Sequence, residues 1–313
     1  MGWIKKGLIF SVDKISDWSY SHCHKPTPLL IDNQTLRVYF GVRDKNRITR
    51  TTFVDIDITD INQFIVKSFN DQPIINPGKI GAFDDSGANV CSVERVGGLL
   101  YMYYIGWNPS TTVHTRNSIG LAISEDNGSS FYKPYDGPIL DRNKEEPYYT
   151  GAVDVKRYND SWIMYYTSGT RWSIVNGKPE ICYHIKYATS DNGIDWVRNN
   201  TDSIIPEHEY EAIARPSVVI ENDVMKMWYS KRSINGFRDN PVNGYRGGYA
   251  ESYDGGIRWI RQDHKFGLDT SESGWDSEAI AYPYVIKIRN KYVMLYNGNG
   301  FGKSGFGYAV YEP

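Results

Sequence analysis

The sequence predicts an all-β chain in which one antiparallel unit is repeated five times, and three observations carry that expectation. The first is composition: 313 residues include 25 Tyr, 9 Trp and 29 Gly, a mixture that favours short aromatic-rich strands and many turns. The second is a phrase of three strands that returns along the whole chain. The third is a recurring turn, AISEDNGSSF from Ala122, ATSDNGIDW from Ala188 and AESYDGGIRW from Ala250. Self-similarity at a fixed period, with several strands in each period, is the signature of a propeller.

Taken in order, the first strands of the repeats contain PLLI from Pro28, VCSV from Val90, VDVK from Val153, PSVV from Pro216 and PYVI from Pro283, spaced by 62, 63, 63 and 67 residues. The second strands are LRVYFGV from Leu36, LYMYYIG from Leu100, WIMYYTS from Trp162, MKMWYSK from Met225 and YVMLYNG from Tyr292. The third are ITRTTFVDI from Ile48, IGLAIS from Ile119, HIKYATS from His184, GGYAES from Gly247 and GFGYAVY from Gly305. Fourth strands are expected near Ile74, Ile139 and Ser203. The last repeat reaches Pro313 just after its third strand, so the opening WIKKGLIFS is expected to supply the missing outer strand. Residues 1–313 then form a single five-bladed β-propeller domain of four-stranded antiparallel blades, its ring closed by the N-terminal strand.

Each recurring turn carries Ser/Thr-x-Asp-x-Gly-x-x-aromatic: Ser124, Asp126, Gly128 and Phe131; Thr189, Asp191, Gly193 and Trp196; Ser252, Asp254, Gly256 and Trp259. This is the Asp-box pattern, and its chemistry is that of a structural turn. The carboxylate accepts backbone N–H groups, Gly supplies a positive φ, and the aromatic ring pins the turn to the sheet. Because strands in a blade alternate in direction, these turns share one face of the ring and the long loops from Trp107, Thr170 and Lys231 share the other. Function is expected on the long-loop face.

Charge narrows the partners. Lys plus Arg number 35 against 37 Asp plus Glu, which gives no electrostatic case for nucleic acid or a membrane surface. A carbohydrate or another sugar-containing small molecule fits better; the oligomeric state is not legible. Cys23, Cys91 and Cys182 have no C-x-x-C spacing, so neither a disulfide framework nor a zinc site is expected. No metal or other cofactor is indicated. The N-terminus has no apolar run of signal-peptide or membrane-spanning length, which points to a cytoplasmic location.

Aligning the approaches to the first strands puts Cys23, Asp85, Tyr148, Glu211 and Glu278 in one column, and Ser21, Phe83, Glu146, Glu209 and Asp276 in another two positions earlier. Glycosidic bond cleavage needs two facing carboxyl groups, one protonated and one ionised. Glu211, Glu278 and Asp85 are therefore the candidate catalytic acids. The competing reading is that such acids bind backbone N–H groups of adjacent blades. Arg215 would either hold Glu211 ionised, clamp a substrate anion, or make a simple structural pair. His22 and His24, with Lys25 beside them, suit polar hydrogen bonding better than metal ligation, since no third ligand is evident. Tyr282 joins them from the fifth repeat. The ends of the second strands add Arg43, Asp44, Trp107, Trp172, Arg232, Asn297 and Asn299, a mixture of aromatic faces and polar groups that a carbohydrate cleft uses.

The five-repeat plan, the acids at the strand approaches and YNGNGFGKSGFGYA from Tyr296 to Ala309 resemble the five-bladed β-propeller glycoside hydrolases, the arabinanase/xylosidase and invertase-like superfamily. The resemblance covers the whole chain in architecture and implies a glycoside hydrolase-like enzyme working in the central funnel. Those enzymes carry an Asp at the first blade's approach, where this chain has Ser21-His22-Cys23-His24-Lys25. The alternative is a catalytically silent carbohydrate-binding propeller that assists glycan or polysaccharide biosynthesis.

Overall fold

The structure is a computed structural model that describes residues 2–312; the chain end at Pro313 lies outside them. Nineteen strands form five antiparallel sheets arranged as blades. Blade one comprises β2 (Ser21–Leu30), β3 (Thr35–Arg43), β4 (Thr49–Asp57) and β5 (Ile65–Phe69). Blade two has β6 (Ala88–Val96), β7 (Leu99–Asn108) and β8 (Arg116–Ser124). Blade three has β9 (Thr150–Tyr158), β10 (Ser161–Val175), β11 (Lys178–Ser190) and β12 (Val197–Ile204). Blade four has β13 (Glu211–Glu221), β14 (Val224–Ser233), β15 (Arg246–Ser252) and the two-residue β16 (Ile260–Arg261). Blade five joins β17 (Ala281–Ile288), β18 (Lys291–Asn297) and β19 (Phe306–Glu312) to β1 (Gly2–Phe10) from the opposite end of the chain.

That last pairing, from Gly2 opposite Glu312 to Phe10 opposite Phe306, is the expected closure of the ring. It removes the open edge that an outermost β19 would otherwise present. Outer strands are the least regular part of each blade. In blade two the fourth position is taken by isolated bridges, Leu140 to Ile119 and Tyr132 to Ile123. In blade one β5 precedes the expected Ile74 segment, which contributes only a bridge from Ile75 to Thr51. The segment from Thr170, expected as a loop, instead extends β10 and β11 into a hairpin that turns at Asn176 (φ 50°) and Gly177 (φ 75°). Asn-Gly is the pair best suited to two successive positive φ values, so the hairpin is set locally.

Blades pack through the second strands, whose fourth and fifth positions have separate tasks. At the fourth, Tyr39, Tyr103 and Tyr165 each donate a hydrogen bond of 2.9 Å to a glycine carbonyl, Gly128, Gly193 and Gly256, in the recurring turn of the next blade. Those turns are held from within as well. Asp126 accepts from the backbone of Ser129 and Ser130, and Asp254 from that of Ile257 and Arg258. In the middle copy Asn192, not Asp191, takes this role toward Ile194 and Asp195, because that turn is one residue shorter.

At the fifth position Tyr104, Tyr166, Tyr229 and Tyr296 each donate to a carboxylate, Asp84, Glu146, Asp263 and Asp276 respectively, of which Asp263 is partly buried and the others buried. A lysine completes each set: Lys133, Lys186, Lys231 and Lys5. Hydrogen bonds to a charged group contribute about 1.5–3 kcal/mol each, so each of these acids is used in holding its own blade together. Blade one has Phe40 at this position and no such set.

Candidate functional site

The five innermost strands, β2, β6, β9, β13 and β17, pack in a closed ring around a central channel. All five are interrupted by β-bulges: β6 at Cys91 and β9 at Ala152, and β2 around His24, β13 between Ala214 and Ser217, and β17 between Ala281 and Tyr284. A bulge re-aims the side chain it displaces. In β2, β13 and β17 residues at the bulges have positive φ, His22 at 67°, Lys25 at 55°, Arg215 at 58° and Tyr282 at 54°. Such a conformation costs a non-glycine residue on the order of 1–3 kcal/mol and persists where surrounding structure enforces it, typically at functional sites.

Arg215 is fully buried and plugs the channel. Its guanidinium donates to the carbonyls of Cys91 (2.6 Å) and Val153 (3.2 Å) and to Thr27 Oγ1 (3.0 Å), and lies over the Tyr284 ring. Blade four is thereby tied to blades one, two and three.

Above this plug, on the long-loop face, opens a cavity of about 330 Å³, in the lower part of the range for small-molecule sites. Of the expected binding residues, His24, Arg43, Trp107, Arg232 and Tyr282 line it, and His22 stacks on His24 at 4.7 Å. Lys25, Asn89, Asn117, His114, Arg238 and the tyrosines Tyr149, Tyr183 and Tyr245 complete the polar wall.

No carboxylate lines this cavity. Glu211 is the first residue of β13 and is held at the blade margin, where Arg261 donates to both its oxygens at 2.9 and 3.1 Å and the Glu207 N–H at 2.7 Å. Burial raises its pKa, but these donors outweigh burial and hold the group below the usual carboxylate value. Asp85 sits in the turn before β6, accepting from the Gly81 N–H and the Ser86 hydroxyl. Glu278 is exposed, three residues before β17. The alignment that produced this column extends beyond the ends of the strands, where the approaches bend away from the axis. Cys23, in the same column, is buried in the core between blades.

Four other expected binding residues serve the frame. Asp44 caps the β3–β4 turn through the Asn46 and Ile48 N–H groups and pairs with Arg50. Asn297 accepts from the Lys25 N–H at 2.8 Å and donates to the Cys23 and Gly305 carbonyls, fixing the bulged β2. Asn299 accepts from the Glu278 N–H and donates to the Gly274 carbonyl. Trp172 stands edge-on to His114 at 5.2 Å, just outside the lining. The expected pairing of Arg215 with Glu211 is replaced by Arg261 with Glu211, since the bulge sends Arg215 to the channel axis.

Two lining atoms are left without a hydrogen-bond partner although buried: His24 Nε2 and Asn89 Oδ1, on side chains only 4 % and 6 % exposed. Buried polar atoms are almost always satisfied, so two unsatisfied atoms on residues of the cavity wall set this site apart from the rest of the frame. The electrostatics are one-sided. Burial and then the Arg43 and Lys303 charges depress His22 to about 3. Burial, then Arg43, pushes His24 well below its ordinary value, and burial lowers Lys25, Arg43 and His114. On the blade-four side Arg232 donates to Tyr183 Oη at 2.9 Å, which lies 3.0 Å from Tyr245 Oη. In this coupled pair burial opposes ionisation of Tyr245, but Arg232 and neighbouring phenols draw it below its ordinary value while Tyr183 stays high.

Glu207, Glu211 and Asp263 bring ligand atoms within 4.8 Å of one another outside the funnel. Arg261 stands among them, donating to Glu211 and, at 2.6 Å, to Asp263, and Lys231 pairs with Asp263 as well, so two cations already share these three acids. All three cysteines are free and buried. Among the described residues no helix is long and apolar enough to cross a membrane.

His114 and Arg238 escaped the sequence reading although both lie in the long loops it singled out. Asn89 lies one residue before the apolar run beginning at Val90, and Tyr149 one residue after the Tyr148 of the aligned column. The signal for those two was position, read one step from where the strands begin.

No family model matches the sequence. An uncharacterised protein of Mycobacterium tuberculosis strain H37Rv, Rv1502, is 34% identical over 313 residues, the full length of both proteins. MT1551, an uncharacterised protein of strain CDC 1551, matches to the same extent. Among solved structures, a complex of BT0996 with RGII superposes with a TM-score of 0.76 at 17% identity, covering 99% of this protein and 91% of that one. A GH130 structure, from a family described as mannoside phosphorylases containing glycoside hydrolases that target β-1,2 mannosidic linkages in Candida mannan, gives 0.71 at 15%, covering 100% and 94%. A thermostable family-43 glycoside hydrolase gives 0.65 at 16%, covering 95% and 90%. The fold is therefore that of the five-bladed propeller glycoside hydrolases, in a divergent sequence.

Proposed function

This protein belongs to the same family as Rv1502 of Mycobacterium tuberculosis, and from that premise we propose that it is a carbohydrate-binding propeller whose ligand sits in the central funnel, without a carboxylate acid–base pair. The observation that carries this reading is a polar cavity that no carboxylate lines, with the buried, unpartnered atoms His24 Nε2 and Asn89 Oδ1 on two residues of its wall. A sugar hydroxyl both donates and accepts, so one ring can satisfy both atoms. Trp107 and the tyrosines supply apolar faces for its C–H surface.

The three expected acids do not meet across that cavity. Hydrolysis by a facing carboxylate pair needs separations of about 5–10 Å across the scissile bond, with open space between the groups. Asp85 and Glu211 are instead committed to backbone N–H groups, the arrangement expected of structural acids. Hydrolysis is the second reading, favoured by the shared glycoside hydrolase fold. Three free, buried thiols suit a reducing compartment, and we place the protein in the cytosol.

A screen of aryl glycosides for turnover, run beside a thermal-shift screen of mono- and oligosaccharides, tests this function. Binding without turnover is expected, with stabilisation approaching about 2.7 kcal/mol at a hundredfold excess over Kd, and Asn89→Ala should abolish the shift. Turnover that is lost in Glu211→Gln or Glu278→Gln would establish the hydrolase instead.

A further inference from the structure

We propose that the funnel takes a phosphorylated sugar, its phosphoryl group held by Lys25 and Arg43. This deepens the carbohydrate reading above and rests on it. Lys25 and Arg43 both line the cavity, and neither side chain is hydrogen-bonded or ion-paired to an acid among the described residues. Lys25 has only the face of the Tyr282 ring, 4.8 Å away. Their surroundings hold further cations, Arg215 acting on Lys25 and Arg47 and Arg238 on Arg43, opposed only by the Cys91 thiol and the Tyr245 and Tyr282 phenols. Glu180, a buried acid whose charge reaches the lining His114, takes Arg238 at 3.2 Å.

Cations left unpaired in a partly buried site are costly, and pairing them is what a bound anion supplies. The cost is compounded by the backbone, since Lys25 is held in place by a positive φ and by Asn297 gripping its N–H. A carboxylate has two oxygens and is satisfied by one guanidinium fork. A phosphate monoester carries about −1.5 to −2 charges at neutral pH and three acceptor oxygens. Arg43, Lys25 and the unpartnered His24 Nε2 together offer a fork, a point charge and a ring N–H, which match the second ligand and exceed the first. Asn89 Oδ1 and Trp107 are then left for the sugar.

The test is calorimetric titration of the full-length protein with hexoses, the corresponding hexose 1- and 6-phosphates, glucuronate and inorganic phosphate, at low and high salt. At least one hexose phosphate should bind about a hundredfold tighter than its parent hexose, with affinity falling as salt rises. Inorganic phosphate should compete with it but bind about a hundredfold more weakly. Arg43→Gln, at a partly buried side chain, should remove about ten- to a hundredfold of the hexose phosphate affinity, a larger loss than for the parent hexose; Lys25→Met should do the same. Equal binding of hexose and hexose phosphate would overturn the anion assignment while leaving the carbohydrate site standing. Glucuronate binding as tightly as the phosphates would replace phosphoryl by carboxylate, and inorganic phosphate binding as tightly as any sugar phosphate would remove the sugar. If no member of the panel binds, both readings fall.

Discussion

Replacing Glu211 by Gln separates a structural acid from a catalytic one. In the folded protein Arg261 donates to both carboxylate oxygens and the Glu207 N–H to one of them, with the paired side chains 14% and 7% exposed. Gln keeps one acceptor oxygen but turns an NH₂ toward a donor, so at least one charge-assisted bond is lost. Arg261 retains Asp263, which limits the damage to about 2–3 kcal/mol. Equilibrium urea unfolding should show a lower midpoint at unchanged slope, while the affinity of the folded protein for its funnel ligand stays the same. The sign with pH follows from the lowered folded pKa. Stabilisation by Glu211 is complete above the unfolded value of 4.5 and is lost as pH falls through the folded value. The gap between the two proteins should therefore close on acidification. A variant of unchanged stability whose ligand affinity or turnover collapses would refute this reasoning.

Other expectations follow from the same contacts. Deleting residues 2–11 removes β1 and exposes the edge of β19, so the truncated protein should aggregate or melt far below the full-length protein; an unchanged melting temperature would contradict the closure. Asp254→Ala removes the acceptor for the Ile257 and Arg258 N–H groups and should cost on the order of 1 kcal/mol, as for loss of a helix cap, with ligand affinity intact. His22, depressed from 6.5 to about 3 by burial and then by the Arg43 and Lys303 charges, is neutral when folded and protonated when unfolded at pH 5. Its contribution is complete above 6.5 and lost as pH falls toward 3, so between pH 7 and 5 stability should drop by about 1–2 kcal/mol, a drop that His22→Asn should reduce.

The frame was legible because it rests on local patterns repeated five times. The alternation in LYMYYIG and its four counterparts specifies strands, and the unpaired third strand at the C-terminal end called for an N-terminal partner. The long-loop face and five of its lining residues were also legible, since second strands end there and Arg43, Trp107 and Arg232 project from those ends. What a linear alignment misses is backbone irregularity. The bulges in β2, β13 and β17 change which side chains reach the axis, sending Arg215 away from Glu211 and Tyr282 into the funnel. Acids were harder still, because the partners that hold them, Tyr104, Tyr166, Tyr229 and Tyr296 with their lysines, lie on other strands. Only the folded blades show that Asp84, Glu146, Asp263 and Asp276 are satisfied there. His114 and Arg238 come from loops whose length was visible and whose path was not.

The most direct measurement is a crystal structure of the protein soaked with hexose phosphates. Density for a sugar phosphate should fill the cavity above Arg215, with phosphoryl oxygens within hydrogen-bond distance of Lys25 Nζ, the Arg43 guanidinium and His24 Nε2, and with the sugar against Asn89 and Trp107. A ligand bound instead at Glu211, Glu278 or Asp85, with two of those carboxylates facing each other across its anomeric carbon, would contradict the account.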